Sequence, residues 1–169
     1  MIRTPRRVLA LISIFLSLSL LLSGCSRRQK SPEDILSELM GADSSLPRGE
    51  IYGSEAGEGE AGYPPSVLLR AMYGENCEEL IRSCDFSIYL SSFAIPLEIA
   101  VFQAPSKDHA REIYALCLTR MDLLKVSLRQ TDHADLCEEI RVYRSGRYVV
   151  MGVTWDGDSF FRAAKSEVG

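Results

Sequence analysis

The chain has 169 residues, of which 46% are hydrophobic, 8% aromatic and 25% charged. This composition is typical of a globular protein, and it excludes a chain that is disordered throughout and a membrane protein with many spans. Arg3, Arg6 and Arg7 lie in a leader without acidic residues, and the rest of the chain has 16 basic and 23 acidic side chains, a net charge of −7. Phosphate backbones repel so acidic a domain, which excludes nucleic acid as a partner.

The N-terminus has the pattern of an export signal. Residues 1–7 are basic, residues 8–22 are apolar apart from three serines, and the small residues Ser23 and Gly24 come directly before Cys25. An apolar run of about 15 residues fits a signal peptide, whereas a transmembrane helix needs about 20. The leader therefore predicts export rather than a membrane span.

The tetrapeptide Leu22-Ser23-Gly24-Cys25 resembles the lipobox of bacterial lipoproteins. In that family a diacylglyceryl group is attached to the cysteine thiol, and the chain is cut so that this cysteine becomes its first residue. The resemblance implies that residues 1–24 are a lipoprotein signal peptide and that Cys25 carries the lipid. Acyl chains contribute about 0.8 kcal/mol per buried methylene, so two or more would hold the protein at the extracytoplasmic face of the cell membrane. The alternative is an ordinary secretory signal with a cysteine near its end by chance.

Residues 25–63 are predicted to form a lipid-anchored helix and a flexible acidic linker. Ser31 is a helix-capping residue, Pro32 suits a first turn, and Gly41 ends the apolar pattern. Residues 53–62, GSEAGEGEAG, are rich in glycine and glutamate without an apolar period, which is typical of a linker. Their glycine spacing matches the dinucleotide-binding fingerprint only formally, because no strand precedes it and the glutamates would repel a pyrophosphate.

Residues 64–169 are predicted to form a single α+β domain. Apolar periodicity and turn residues predict these elements in chain order: helix 64–73, a helical turn within 77–83, strands 86–90 and 97–101, a long capped helix over 107–130, a polar helical piece near 133–139, strands 140–144 and 147–155, and a last helix over 158–166. Hairpins that alternate with helices favour an antiparallel sheet of about four strands packed against the one long helix.

One face of this sheet is a candidate surface for a partner. If Ser145-Gly146 forms a two-residue turn, Tyr143 pairs with Tyr148. Strand alternation then places four side chains of types common at binding hot spots on the side away from the long helix: Tyr89, Arg141, Tyr143 and Tyr148. We expect this face to bind an envelope protein, unless the N-terminal helix or the 64–73 helix covers it.

Four cysteines remain besides Cys25. In an oxidising compartment they could pair in several ways. A disulfide between Cys77 and Cys84 is plausible if the segment between them turns back, whereas an intact helix would hold them about 10 Å apart, too far for a bridge. Cys117 lies on the apolar stripe of the long helix, where a buried free thiol is expected.

No local motif predicts catalysis, a metal or a cofactor. The histidines are His109 and His133, and no Cys-x-x-Cys pair is present, so a zinc site is not expected. Asp132 and Asp135 flank His133, but neighbours on a turn do not face one another, and no nucleophile motif accompanies them. We therefore expect a protein that is not an enzyme.

Two longer runs, LEIAVFQAPSKDHAREIYALCLTRMDLL (97–124) and RVYRSGRYVVMGVTWD (141–156), carry a wider resemblance. Together with the lipobox they resemble small lipoproteins of Gram-positive bacteria that share a domain of unknown function, over most of residues 31–166. The resemblance implies no activity. The expected function is a non-enzymatic accessory or interaction module at the cell envelope. A small envelope-modifying enzyme is the alternative, and a solute-binding lipoprotein is disfavoured because about 145 residues cannot supply two lobes around a cleft.

Overall fold

The computed structural model describes residues 29–92 and 95–169. The predicted signal peptide, its Leu22-Ser23-Gly24 motif and the lipid-attachment residue Cys25 lie outside these residues. The chain from Ser31 to Gly169 forms one compact unit. The folded unit therefore begins at Ser31, and the predicted domain boundary at residue 64 is wrong.

The unit has an α+β fold with a five-stranded antiparallel sheet. The described helices are α1 (Pro32–Ala42), α2 (Ser66–Tyr73), α3 (Glu78–Arg82), α4 (Lys107–Leu128) and α5 (Gly157–Val168), with a 3₁₀ helix over Ala134–Glu138. The strands are β1 (Gly49–Gly53), β2 (Asp85–Ser91), β3 (Glu98–Gln103), β4 (Ile140–Ser145) and β5 (Tyr148–Val153), in the sheet order β1-β2-β3-β5-β4. None of the described helices has the length and apolar character needed to cross a membrane.

Strand β1 raises the sheet from the predicted four strands to five. It pairs with β2, and Ile51 lies opposite Tyr89. Only three residues between its two terminal glycines could carry an alternating pattern, so the sequence signal is weak. Gly49 is required there because a Cβ would overlap the backbone oxygen of Leu90.

The acidic segment predicted as a linker is a loop within the folded unit. Gly53 donates its N–H to the carbonyl of Gly62 at 2.8 Å, so the two ends of the loop meet. Ser54 donates its N–H to the carbonyl of Phe86 at 3.0 Å and accepts from the N–H of Phe86 at 3.0 Å. The start of the loop therefore extends the pairing of β1 with β2 by one residue beyond Gly53.

Helices cover both faces of the sheet, whereas the sequence predicted one long helix on one face. One core lies between the sheet and helices α2, α3 and α4, and Phe86, Phe102 and Met151 belong to it. The second core lies under α1 and α5, which contribute Ile35 and Phe160 among others. Strand β3 is buried on both sides, and for this reason its residues from Ile99 to Phe102 are all apolar.

The β4–β5 hairpin turns one residue later than predicted. Ser145 pairs with Tyr148, so Gly146 and Arg147 form the loop, and Gly146 has a φ of 57° that favours glycine. Tyr143 consequently faces Val150 rather than Tyr148. The partner of each β4 residue thus shifts by two positions along β5. Because side chains alternate with a period of two, each one stays on the predicted side of the sheet.

Candidate functional site

Helices α1 and α5 cover the sheet face that was expected to bind a partner. Tyr89 is 1% exposed, and its hydroxyl donates to the carbonyl of Pro47 at 2.6 Å. The ring of Tyr143 packs edge-on against Phe161 of α5, with 5.4 Å between the ring centroids. The predicted open surface formed by Tyr89, Arg141, Tyr143 and Tyr148 is therefore wrong.

The N-terminal helix α1 covers this face, as the sequence left open, and the last helix α5 covers it as well. Helix α5 has an apolar stripe, with Phe160, Ala164 and Val168 in the second core, and this stripe has to be buried. Arg141 remains at the edge of the helix, where its guanidinium donates to the Asp158 carboxylate at 2.8 Å. On this face Tyr89 is buried, and Arg141, Tyr143 and Tyr148 are half-buried against the covering helices.

The cysteines of the described residues, Cys77, Cys84, Cys117 and Cys137, carry free thiols and are buried. Helix α3 lies between Cys77 and Cys84, which is the arrangement that prevents a bridge. Cys77 donates its thiol to the carbonyl of Leu69 at 3.3 Å, and Cys84 donates to that of Leu80 at 3.5 Å. Burial raises the pKa of Cys84 to about 11, so its thiol is protonated and a poor nucleophile at neutral pH.

A buried polar cluster joins α2, β3 and α4. Glu98 is 2% exposed and accepts from Arg120 Nε at 3.1 Å, from Arg120 Nη2 at 2.8 Å and from the Tyr73 hydroxyl at 3.2 Å. Burial, and then the charge of Glu98, raises the pKa of Tyr73 well above its usual value. Every polar group in the cluster has a partner inside the protein, which indicates a structural role. The sequence signal was available, because Glu98 is the one charged residue in the run LEIAVF.

Two cavities lie at the end of the sheet where β3 begins and β5 ends. The larger one, the His133 cavity, has a volume of about 480 Å³ and lies beside the C-terminal half of α4. Trp155 is close to it, with 6.5 Å between the centroids of its ring and the His133 ring. These residues line the cavity: Pro96, Leu124, Ser127, Leu128, Gln130, Thr131, Asp132 and His133.

The smaller one, the Thr154 cavity, has a volume of about 170 Å³ and lies on the opposite sheet face. It forms where the C-terminus of α1, the N-terminus of α5 and the end of β5 meet, and Leu39, Ala42, Asp43, Thr154, Asp156, Ser159 and Phe160 line it. Its two carboxylates belong to residues next to helix ends, because Asp43 follows α1 and Asp156 caps α5. No local pattern predicts this cavity, since its residues come from two stretches of the chain that are far apart, 39–43 and 154–160.

Hydrogen bonds hold both carboxylates of the Thr154 cavity in place. Asp156 accepts from the Ser159 N–H at 2.8 Å and from the Ser159 hydroxyl at 2.7 Å, and these bonds lower the pKa of Asp156. Asp43 accepts from the Ser45 N–H at 3.0 Å. The cavity therefore combines fixed negative charge with an apolar lining, an arrangement that suits a positively charged ligand.

Within residues 29–92 and 95–169, no three or more His, Cys, Asp or Glu side chains are grouped so as to hold a metal ion. Comparison with known proteins adds no family. No model of a known family matches the chain, and no curated protein and no solved structure is significantly similar to it.

Proposed function

We propose that the protein is a lipid-anchored, non-enzymatic binding module at the extracytoplasmic face of the cell membrane, and that it binds at the end of the sheet where the two cavities lie. The position of these cavities supports this proposal. Helix α1 begins at Pro32, and Leu39 and Ala42 in its last turn line the Thr154 cavity. Its 11 residues span roughly 16 Å, so the cavity and the start of the domain lie at opposite ends of α1.

The connection to the predicted anchor is short. Ser31 follows Cys25 by six residues, which extend over at most about 20 Å. Arg27, Arg28 and Lys30 lie in this connection, where anionic lipid head groups would attract them. A lipid on Cys25 would therefore keep the start of the folded unit within about 20 Å of the bilayer.

A non-enzymatic role agrees with the positions of the side chains that could react chemically. The four thiols are buried, and Glu98, Arg120 and Tyr73 are bonded to one another. The resemblance to small Gram-positive lipoproteins also supports an envelope module. A small envelope-modifying enzyme is a second candidate, because Ser127, Asp132 and His133 line one cavity. Hydrolysis of an envelope component by the purified protein, lost in His133→Ala, would favour the enzyme.

Mass spectrometry of the mature protein from a bacterial host tests the anchor. We expect Cys25 to be the first residue and to carry a diacylglyceryl group, and we expect the protein to fractionate with membranes. Cys25→Ala should abolish the modification and the membrane association, whereas Cys137→Ala, which removes another thiol, should change neither. An unmodified Cys25, or Cys25→Ala protein that stays on the membrane after signal cleavage, contradicts the proposal.

A further inference from the structure

We propose that the outer edge of β4 binds an extended acidic peptide, which adds to the sheet as a further strand. The inference goes beyond the proposed function, because this edge shares no lining residue with the His133 cavity or the Thr154 cavity. It does not depend on the lipid at Cys25. Three features carry it: a strand edge that no described strand covers, a groove along that edge, and positive charge in the groove.

Strand β4 lies at one edge of the sheet, and among the described strands it pairs with β5 alone. Ser145 and Tyr148 flank the two-residue loop of this hairpin, and in such a hairpin the flanking residues exchange both backbone hydrogen bonds. Because the bonding direction alternates along an antiparallel strand, Tyr143 also bonds to β5. Val142 and Arg144 therefore direct their N–H and C=O groups to the outer side, where a further strand would bond.

A groove of about 440 Å³ lies along this edge. Arg111 and Tyr114 of α4 line it, together with Phe161 of α5 and residues 142–144 of β4. Helices α4 and α5 belong to the cores on opposite faces of the sheet. Because the sheet separates the two helices, a groove that both of them line beside residues 142–144 has to lie beyond the outer side of β4. The groove therefore gives access to the outward backbone groups of this strand.

The charge in the groove selects an acidic peptide. Arg111 and Arg144 line the groove, and no described carboxylate does. Arg144 is exposed, and its guanidinium lies 6.0 Å from the centre of the Tyr114 ring. Arg111 is bonded to Asp108, but this pair is exposed to solvent, so Arg111 can exchange it for a peptide carboxylate. A second copy of this chain is a poorer occupant, because two β4 edges brought together would set the arginines of both copies against each other.

Strand geometry predicts the residue pattern of the peptide. Side chains alternate between the faces of a strand, so Val142 and Arg144 lie on the side of α4, and Tyr143 lies on the side of α5. Residues directly opposite each other in an antiparallel pair share a face. The peptide residues opposite Val142 and Arg144 therefore face the arginines of the groove, and the residue between them faces Tyr143 and Phe161. The expected pattern is an acidic, an apolar and an acidic residue.

The probe is the peptide Val-Glu-Val-Glu-Val with an N-terminal fluorophore and a C-terminal amide. Its fluorescence anisotropy is followed as the full chain, purified in mild detergent, is added. We expect saturable binding, and none for the peptide with lysine in place of both glutamates. Arg144→Gln should weaken binding about tenfold, because a hydrogen bond between charged groups is lost. Arg129→Gln is the matched control and should bind as the wild type does, since Arg129 is also exposed but lies about 22 Å along α4 from Tyr114.

Methylation of the peptide backbone separates strand addition from simple attraction between charges. In the antiparallel arrangement the N–H groups of the two glutamates face β4, and the N–H of the central valine faces away from it. A peptide methylated at both glutamate nitrogens should therefore not bind, whereas one methylated at the central valine nitrogen should bind as the parent does. Hydrogen exchange gives a second readout, because the N–H groups of Val142 and Arg144 should exchange more slowly when the parent peptide is bound.

Four results would overturn the inference. They are the absence of saturable peptide binding, equal affinity for the peptide methylated at both glutamates, equal affinity in Arg144→Gln and Arg129→Gln, and binding of inorganic polyphosphate in place of the peptide. Slow exchange of the Val142 and Arg144 N–H groups that needs no peptide and increases with protein concentration would also overturn it, because a second copy of the chain would then occupy the edge. An unmodified Cys25 with peptide binding intact would remove the anchor and keep this site.

Discussion

At the scale of single residues, the ion pair between Glu98 of β3 and Arg120 of α4 is buried between the sheet and the helix. Glu98 and Arg120 both lose hydration on folding, and the pair is tolerated because the two groups, with Tyr73, satisfy each other's hydrogen bonds. Removal of one partner leaves the other charge buried without its ion-pair partner. The same pair ties β3 to α4, so its loss would also loosen the long helix.

Replacement of Arg120 by methionine should lower the free energy of unfolding by about 3 kcal/mol, because Glu98 is then buried without its partner. Adding Glu98→Gln should recover most of that loss. Urea denaturation measures both changes. Arg111→Met is the control, since its bond to Asp108 is exposed and should contribute less than about 1 kcal/mol. A loss in Arg120→Met as small as in Arg111→Met would show that the buried pair does not stabilise the fold.

The Thr154 cavity could not be predicted from the sequence, and the residues that line it show why. Asp43 and Asp156 each have a local explanation as helix-end residues, and Thr154 has an ordinary strand pattern. Their meeting depends on α1 and α5 packing side by side, which no local pattern encodes. Glu98, by contrast, was recognisable as a charge within an apolar strand.

Among the elements, those with strong local signals were predicted. Ser31 and Ser106 cap α1 and α4 by accepting from the N–H three residues later, at 3.1 Å in both helices, and both helices begin where predicted. Strand β1 was missed because it is short and glycine-bounded. The hairpin loop was misplaced by one residue because the sequence shows that Gly146 belongs to the turn, but not which position of the turn it occupies.

The contact between β5 and α5 depends on a glycine. A Cβ at Gly152 would overlap the ring of Phe160, which packs directly on the strand. Gly152→Ala should therefore lower the free energy of unfolding by about 1–3 kcal/mol through overpacking, and Phe160→Leu in the same chain should recover part of it. Gly41→Ala is the control, since open space surrounds the Cβ position there. Equal stability of Gly152→Ala and wild type in urea denaturation would contradict this packing.

On the scale of the whole molecule, the two ends of the folded chain meet in one core. Ile35, Leu36 and Leu39 of α1 pack with Phe160 and Val168 of α5 over the sheet. The first helix therefore belongs to the fold and does not act as a spacer in front of it. Each Å² of apolar surface that is buried contributes about 25 cal/mol to stability, so these large side chains contribute substantially.

A fragment of residues 64–169, the predicted domain, should fail to fold cooperatively, because it lacks α1 and β1 and exposes the second core. A fragment of residues 29–169 should unfold in one transition. Circular dichroism during urea denaturation compares the two. Cooperative unfolding of the shorter fragment with the stability of the longer one would mean that α1 is dispensable.

The meeting of α1 and α5 also has a consequence for the order of events during synthesis. A chain that crosses the membrane N-terminus first, as the leader predicts, delivers α1 at the start and α5 at the end. The second core contains residues of both helices, so it cannot close until the last residues have emerged. If the leader directs export as predicted, the second core can therefore close only after α5 has crossed the membrane.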